Sequence, residues 1–166
     1  RGHNGFLRLE NAVASICSMV QDNGGSVLSF TGDGVVSFFD EAQFLKKSDA
    51  AHQAMESCKK LASIIGLATG ISIRSALHYG NVYIPRSGRL EGQAIGSDVV
   101  CSTRLCSFIA ELERFLDPEH MGVITAATEE FFSILEKSEQ IESRLKPWRT
   151  NHEFKGLLKK YNLYLH

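Results

Sequence analysis

The sequence predicts an α+β sandwich, with helices packed on a mostly antiparallel sheet. Three observations lead there. Pairs of strand-like runs recur around glycine turns, at "GGSVLSFTGDGVVSFF" (24–39) and "ISIRSALHYGNVYIP" (71–85). The stretches between them carry apolar residues at every third or fourth position, which is helical spacing. Read along the chain, the order is α, ββ, α, ββ, α, β, α, ββ, so strand pairs alternate with helices. The chain opens directly on a helix, and this order places a first strand upstream of Arg1.

Each element has its own warrant. Over residues 4–22, Phe6, Leu9, Val13, Ile16, Cys17 and Val20 share one helical face, and Gly24-Gly25 supplies the stop. Val27–Phe30 and Val35–Phe39 are strands joined by Thr-Gly-Asp-Gly into a hairpin. Ser48–Ile65 is amphipathic, with Ala51, Ala54, Met55, Cys58, Leu61 and Ala62 inward and Gly66 to close it. Ile71, Ile73, Ser75 and Leu77 then alternate with Ser72, Arg74, Ala76 and His78, and Gly80-Asn81 turns the chain into a second strand at Val82–Ile84. Residues 86–93 form a polar loop, after which Ser97 or Asp98 caps a helix running to about Leu116. "MGVIT" is a short strand, 126–136 a helix, and His152–Lys155 with Tyr161–Leu165 a closing strand pair. Ser138–Asn151 reads as a polar linker too short to separate two domains, so residues 1–166 form a single domain.

Composition narrows the function. With 43% hydrophobic and 22% charged residues in 166, the chain has the make-up of an ordinary globular domain with a full core. A net charge of -1 gives no global pull toward nucleic acid or an anionic membrane. No apolar run reaches the ~18–20 residues that span a bilayer, and no signal peptide is evident, so a cytoplasmic protein is expected. Cys17, Cys58, Cys101 and Cys106 form no Cys-x-x-Cys pair and read as buried reduced thiols. The six histidines show no zinc spacing.

Asp33 raises the chemical question. An aspartate in a turn is commonly a turn residue. It is also what a magnesium site needs, because that ion is gripped by one or two carboxylates together with substrate phosphates. Gly32 and Gly34 would then let a polyphosphate approach the backbone.

Three more segments bring in a resemblance. Residues 24–39 resemble the metal-binding hairpin of class III nucleotidyl cyclase catalytic domains, which reads Gly-Gly-x-Val-x-Lys-Phe-x-Gly-Asp. "IRSALHYGNVYI" resembles the family's Arg-x-Gly-Ile-His-x-Gly-x-Val, and "AIGSDVVCSTRLCSF" its Ala-Ile-Gly-Asp-x-Val-Asn-x-Ala-x-Arg-Leu helix. "FKGLLKKYNLYLH" is similar to its closing Lys-Gly and strand. Order and approximate spacing match over nearly the whole chain. The resemblance implies a ferredoxin-like sandwich that works as a head-to-tail homodimer. It implies two Mg²⁺ or Mn²⁺ ions per active site and a nucleoside triphosphate cyclised to a 3',5'-cyclic nucleotide and pyrophosphate. Asp33 matches one metal aspartate, Arg104 the arginine supplied by the opposite subunit, and Lys155 the lysine on the triphosphate. Without the resemblance, Arg104 and Lys155 read as solvated charges.

Four departures follow from the same comparison. The family's other metal aspartate would stand two residues before Arg1. Ser29 replaces the base-reading lysine or glutamate, and Gln93 its partner. A site built to hydrogen-bond one base rejects others strongly, so both purine preferences are open. Some bacterial members make cyclic CMP or cyclic UMP as an alarm against phage, and the loss of the purine readers admits a pyrimidine here. Val100 replaces the asparagine that orients the ribose, four residues before Arg104. That substitution supports a rival reading, an inactive cyclase-like module that binds nucleotide or a partner. A diguanylate cyclase would need Gly-Gly-[Asp/Glu]-Glu-Phe, which is absent. Arg86 and Arg89 bracket a loop that either closes over phosphates or is merely solvated, and His78 and Tyr79 stand where a base could stack.

Overall fold

The computed structural model describes residues 2–69, 73–86, 94–112 and 123–166. The chain divides into two compact units, Arg1–Ile73 and Arg74–His166. Helices and mostly antiparallel strands make up both, the α+β class that the sequence predicts.

In the first unit, α1 (Gly2–Asp22) precedes a two-stranded antiparallel sheet of β1 (Ser26–Phe30) and β2 (Val35–Phe38). The helix stops where glycine allows it. Gly24, at φ +82, donates to the Gln21 carbonyl and Gly25 to the Val20 carbonyl, at 3.0 and 2.8 Å, the paired bonds of a Schellman cap. A single 3₁₀ turn at Glu41–Gln43, capped by the Asp40 carboxylate, leads into α2 (Lys47–Thr69). Ala12 of α1 and Leu61 of α2 form the centre of this unit, with Ile16, Met19 and Ile73 packed around them. Gly66 does not close α2, which continues three residues further. One interior glycine costs a helix about 1 kcal/mol, too little to end it among leucine, isoleucine and alanine.

In the second unit a four-stranded sheet has the order β3-β4-β6-β5, with β3 at Ile73–Leu77, β4 at Val123–Thr128, β5 at Lys146–Glu153 and β6 at Lys160–Leu165. β6 pairs antiparallel with both neighbours, through Ala126↔Leu165 on one side and Glu153↔Lys160 on the other. The 16-residue helix α3 (Ser97–Leu112) packs on β4. Cys101, Leu105 and Ile109, spaced by four and wholly buried, meet Ile124, Ala126, Phe154, Tyr161 and Leu163. Two short helices, α4 (Glu129–Ile134) and α5 (Lys137–Ser143), link β4 to β5.

Three expectations are corrected. Val82–Ile84 is not a strand paired with β3; only Tyr83 bridges, antiparallel, to Ile95. Val82 and Tyr83 are exposed and offer no buried face to hold a ladder. The supposed linker 138–151 contains most of α5 and most of β5. Its helix begins with a capping box between Glu136 and Glu139 and ends on Arg144 in the left-handed region at φ 55. β5 is an edge strand, which is why it tolerates Pro147 and polar residues. Finally, Ala126–Thr128 belong to β4 rather than a helix, because these wholly buried small residues pair with β6.

Candidate functional site

The hairpin at 26–38 presents the candidate metal ligand of the first unit. Phe30 pairs with Val35, and the Thr31 N–H donates to the Gly34 carbonyl at 2.9 Å, so Gly32 and Asp33 form a two-residue tip. Gly32 has φ +76, a value that a primed hairpin turn needs at its first central position. A side chain at Gly32 would meet nothing within 4 Å, whereas one at Gly34 would sit 2.6 Å from Thr31 Oγ1. Asp33 is exposed between them. Its carboxylate thus stands on bare backbone, which suits a cation shared with a ligand's phosphates. Among the described residues no group of three His, Cys, Asp or Glu side chains assembles a self-sufficient metal cage. A carboxylate of this kind fits only a cation whose remaining ligands come from substrate and water.

Ser29 lies just beyond an irregularity in β1. The register steps from Val27↔Ser37 to Ser29↔Val36, leaving Leu28 as an extra residue. Such bulges bend a strand and re-aim the side chains that follow. Ser29 and Phe30 are exposed, Phe30 by 61%, while the first three residues of β1 are half-buried.

The second unit positions the two cationic candidates. Arg104 is exposed on α3, between buried Cys101 and buried Leu105. Val100 is also exposed and lies one turn earlier on the same helical face. The position expected to orient a ribose is therefore adjacent to Arg104, with an apolar side chain there. Lys155 is exposed at the start of the β5–β6 connection. The Leu157 N–H donates to the Phe154 carbonyl at 3.0 Å and Gly156 has φ +86, so Lys155 takes the first central place of a type II-like turn. Gln93 and Arg89 lie outside the described residues.

One constellation went unread in the sequence. His78 is buried, 4% exposed at its side chain, and both ring nitrogens are engaged: Nδ1 with Thr128 Oγ1 at 2.8 Å and Nε2 with Asp98 Oδ1 at 3.1 Å. The other Asp98 oxygen accepts from the Asn81 N–H at 2.8 Å. Tyr161 lies edge-on to the imidazole at 5.8 Å. His78 is therefore not available to stack on a base. Nearby, burial pushes the Cys101 thiol up to about 12, although a hydrogen bond with Tyr161 opposes it. Burial likewise raises Tyr161. Glu130 is held below the ordinary carboxylate value: burial works against this, but hydrogen bonds from Lys159, its own backbone and Thr128, with the Lys159 charge, together outweigh it. Cys101 and Tyr161 therefore keep their protons at neutral pH. The only sequence signal for the network was Gly80 two residues after His78, and it reads equally well as a turn.

No family model and no curated protein matches this sequence. Solved structures do share the fold. The adenylyl cyclase CyaB from P. aeruginosa superposes with a TM-score of 0.69 at 17% identity, covering 99% of this chain and 83% of its own. Adenylate cyclases from Trypanosoma brucei, in their monomeric state, give 0.63 at 10% identity over 95% of this chain and 78% of theirs. The guanylyl cyclase Cya2 gives 0.53 at 15% identity over 96% and 78%. At these identities the likeness establishes a shared fold.

Proposed function

We propose that the chain is a nucleotidyl cyclase, converting a nucleoside triphosphate to a 3',5'-cyclic nucleotide and pyrophosphate in a homodimer. The observation that supports it most is the fold shared with adenylyl and guanylyl cyclases, together with an exposed aspartate on a bare glycine tip within that fold.

Asp33 is the residue that holds divalent metal, two Mg²⁺ or Mn²⁺ ions serving each site in the family that the sequence resembles. When bound, such ions neutralise phosphate charge and make the ribose 3'-hydroxyl more acidic. Gly32 leaves open backbone for the triphosphate, and Gly34 lets Thr31 pack against the tip beside it. Lys155 contributes a point charge to the phosphates. Arg104, from the opposite copy, offers a planar fork of donors that meets phosphoryl oxygens two at a time as charge builds in the transition state. Ser29 and Gln93 face the choice of base, and with both purine readers replaced a pyrimidine triphosphate is admitted, as in cyclases that signal phage infection. The whole of residues 1–166 acts as one catalytic domain in this reading, without nucleic-acid or membrane partners and in the cytoplasm.

A second reading is favoured by one observation. Val100 removes a ribose-orienting hydrogen bond beside Arg104, as expected of a cyclase-like regulatory or nucleotide-binding module without turnover. The test incubates the full natural protein with ATP, GTP, CTP and UTP separately in Mn²⁺, and resolves products by chromatography and mass spectrometry. One cyclic nucleotide, abolished by Asp33→Asn, is the expected result and names the base. No product from any of the four, by a folded dimer, overturns the cyclase reading in favour of the module.

A further inference from the structure

Asp98 occupies the first turn of α3, where a carboxylate ordinarily accepts hydrogen bonds from the helix's own N–H groups. Here both oxygens are engaged elsewhere, one by His78 and one by Asn81. The backbone around them is pressed together to match. A side chain at Gly80 would lie 2.3 Å from Asp98 Cγ, and one at Gly96 would lie 3.3 Å from the Asn81 carbonyl. Tyr83 and Ile95 exchange two backbone hydrogen bonds at 3.0 and 2.8 Å. Residues 80–83 and 95–98 are thus joined by three hydrogen bonds and approach closely at Gly80 and Gly96.

One direction in this network is fixed by chemistry. A carboxylate only accepts, so His78 carries a proton on Nε2. Nδ1 pairs with the hydroxyl of Thr128, which is wholly buried at the end of β4. The sheet therefore holds the imidazole, the imidazole holds Asp98, and Asp98 holds the start of α3. Burial of Cys101, Leu105 and Ile109 holds the inner face of that helix against the sheet, and the clamp ties its first turn. The hydrogen bonds are directional. Arg104 sits about 9 Å further along the same helix, so its place follows from where Asp98 is tied.

We infer that Asp98 and His78 are positioning residues for Arg104. The catalytic consequence rests on the cyclase reading; the clamp itself does not. Its removal displaces Arg104 from the transition state and leaves substrate binding through Asp33 and Lys155 intact. Asp98→Ala is expected to lower kcat by about 100-fold, the order that a misplacement of 1 Å produces, with KM within about twofold. Asp98→Asn keeps an acceptor for the Asn81 N–H and falls between. The decisive comparison is the cycle with Arg104→Ala: if Asp98 acts through Arg104, adding Asp98→Ala to that variant costs nothing further.

Two readouts are independent of turnover. Amide exchange at Asn81 should quicken at least about tenfold in Asp98→Ala, as a lost bond in a locally opened segment requires, and ¹⁵N spectra of the wild type should show His78 protonated on Nε2. Unchanged Asn81 exchange, or an Nδ1–H tautomer, overturns the clamp. Quickened exchange with undiminished kcat, or fully additive losses with Arg104→Ala, overturns the positioning role. If no triphosphate is cyclised by the wild type, the cyclase reading falls instead, and exchange and tautomer alone decide the clamp.

Discussion

Gly80→Ala is the sharpest mechanical test of the fold, because the added methyl has nowhere to go. Its carbon would lie 2.3 Å from Asp98 Cγ, 2.4 Å from Oδ2 and 2.7 Å from Cβ. Carbon atoms rest about 3.5–4.0 Å apart, so Asp98 must retreat by more than about 1 Å. The hydrogen bonds it makes at 2.8 and 3.1 Å cannot survive such a shift together. Hydrogen bonds to a charged group contribute about 1.5–3 kcal/mol each. Gly80 is outside the left-handed region, so alanine brings no backbone strain of its own. It also stabilises by about 0.4–1 kcal/mol through the unfolded chain. The difference gives a net loss of about 2–5.5 kcal/mol. Denaturant titration measures it as a lower midpoint at unchanged slope. The control is Asp98→Gly, which deletes all three clashing atoms. In that background Gly80→Ala should be neutral or slightly stabilising. A penalty of the same size with and without the Asp98 side chain would refute the reasoning, as would a change within about 0.5 kcal/mol of wild type, the range of an ordinary surface substitution.

Two further outcomes follow from the titrating groups. Burial, then the Arg149 charge, lowers His152 below its ordinary 6.5, with Glu153 opposing. As pH falls below 6.5 the unfolded chain takes up this proton first, so stability drops until pH passes the lower folded value and drops no further from this group. The melting temperature should therefore decline more steeply between about pH 7 and pH 5 for wild type than for His152→Phe, which keeps a ring against Phe108; equal slopes would refute the assignment. Cys101, wholly buried with its thiol pushed up to about 12, should resist iodoacetamide at pH 8 in the native protein and react fully after denaturation. Peptide mass spectrometry reads both, and rapid native labelling at Cys101 would contradict the packing of α3.

The long helices and the first hairpin were legible because their signals are local. Apolar spacing of three and four marks α1, and Gly24-Gly25 ends it in the way such pairs do. Asp33 stood out for the same reason, since it is the one charged residue at the glycine tip that joins β1 to β2. What could not be read is long-range. Gly80-Asn81 looks like a hairpin turn until Asp98, 17 residues after Asn81, claims its N–H. The stretch 138–151 looks like a linker because β5 is an edge strand, and an edge strand need not alternate. His78 looked like a stacking surface because no spacing rule announces that Thr128, 50 residues away, will take its other nitrogen. The cationic candidates, Arg104 and Lys155, were found through resemblance alone, since an exposed charge on a helix or a turn has no signature of its own.

The extra residue in β1 bears on how this hairpin can change over time. Ser26 and Val27 answer to the half-buried side of their unit, while Ser29 and Phe30, past the bulge, answer to solvent. A new side chain at position 29 therefore disturbs no packed neighbour, and drift there is cheap. Losing one residue between Val27 and Ser29 is another matter. It would remove the bulge and with it the bend that aims the end of the arm, where Asp33 stands. A lineage of such proteins is free in the composition of this arm and bound in its length.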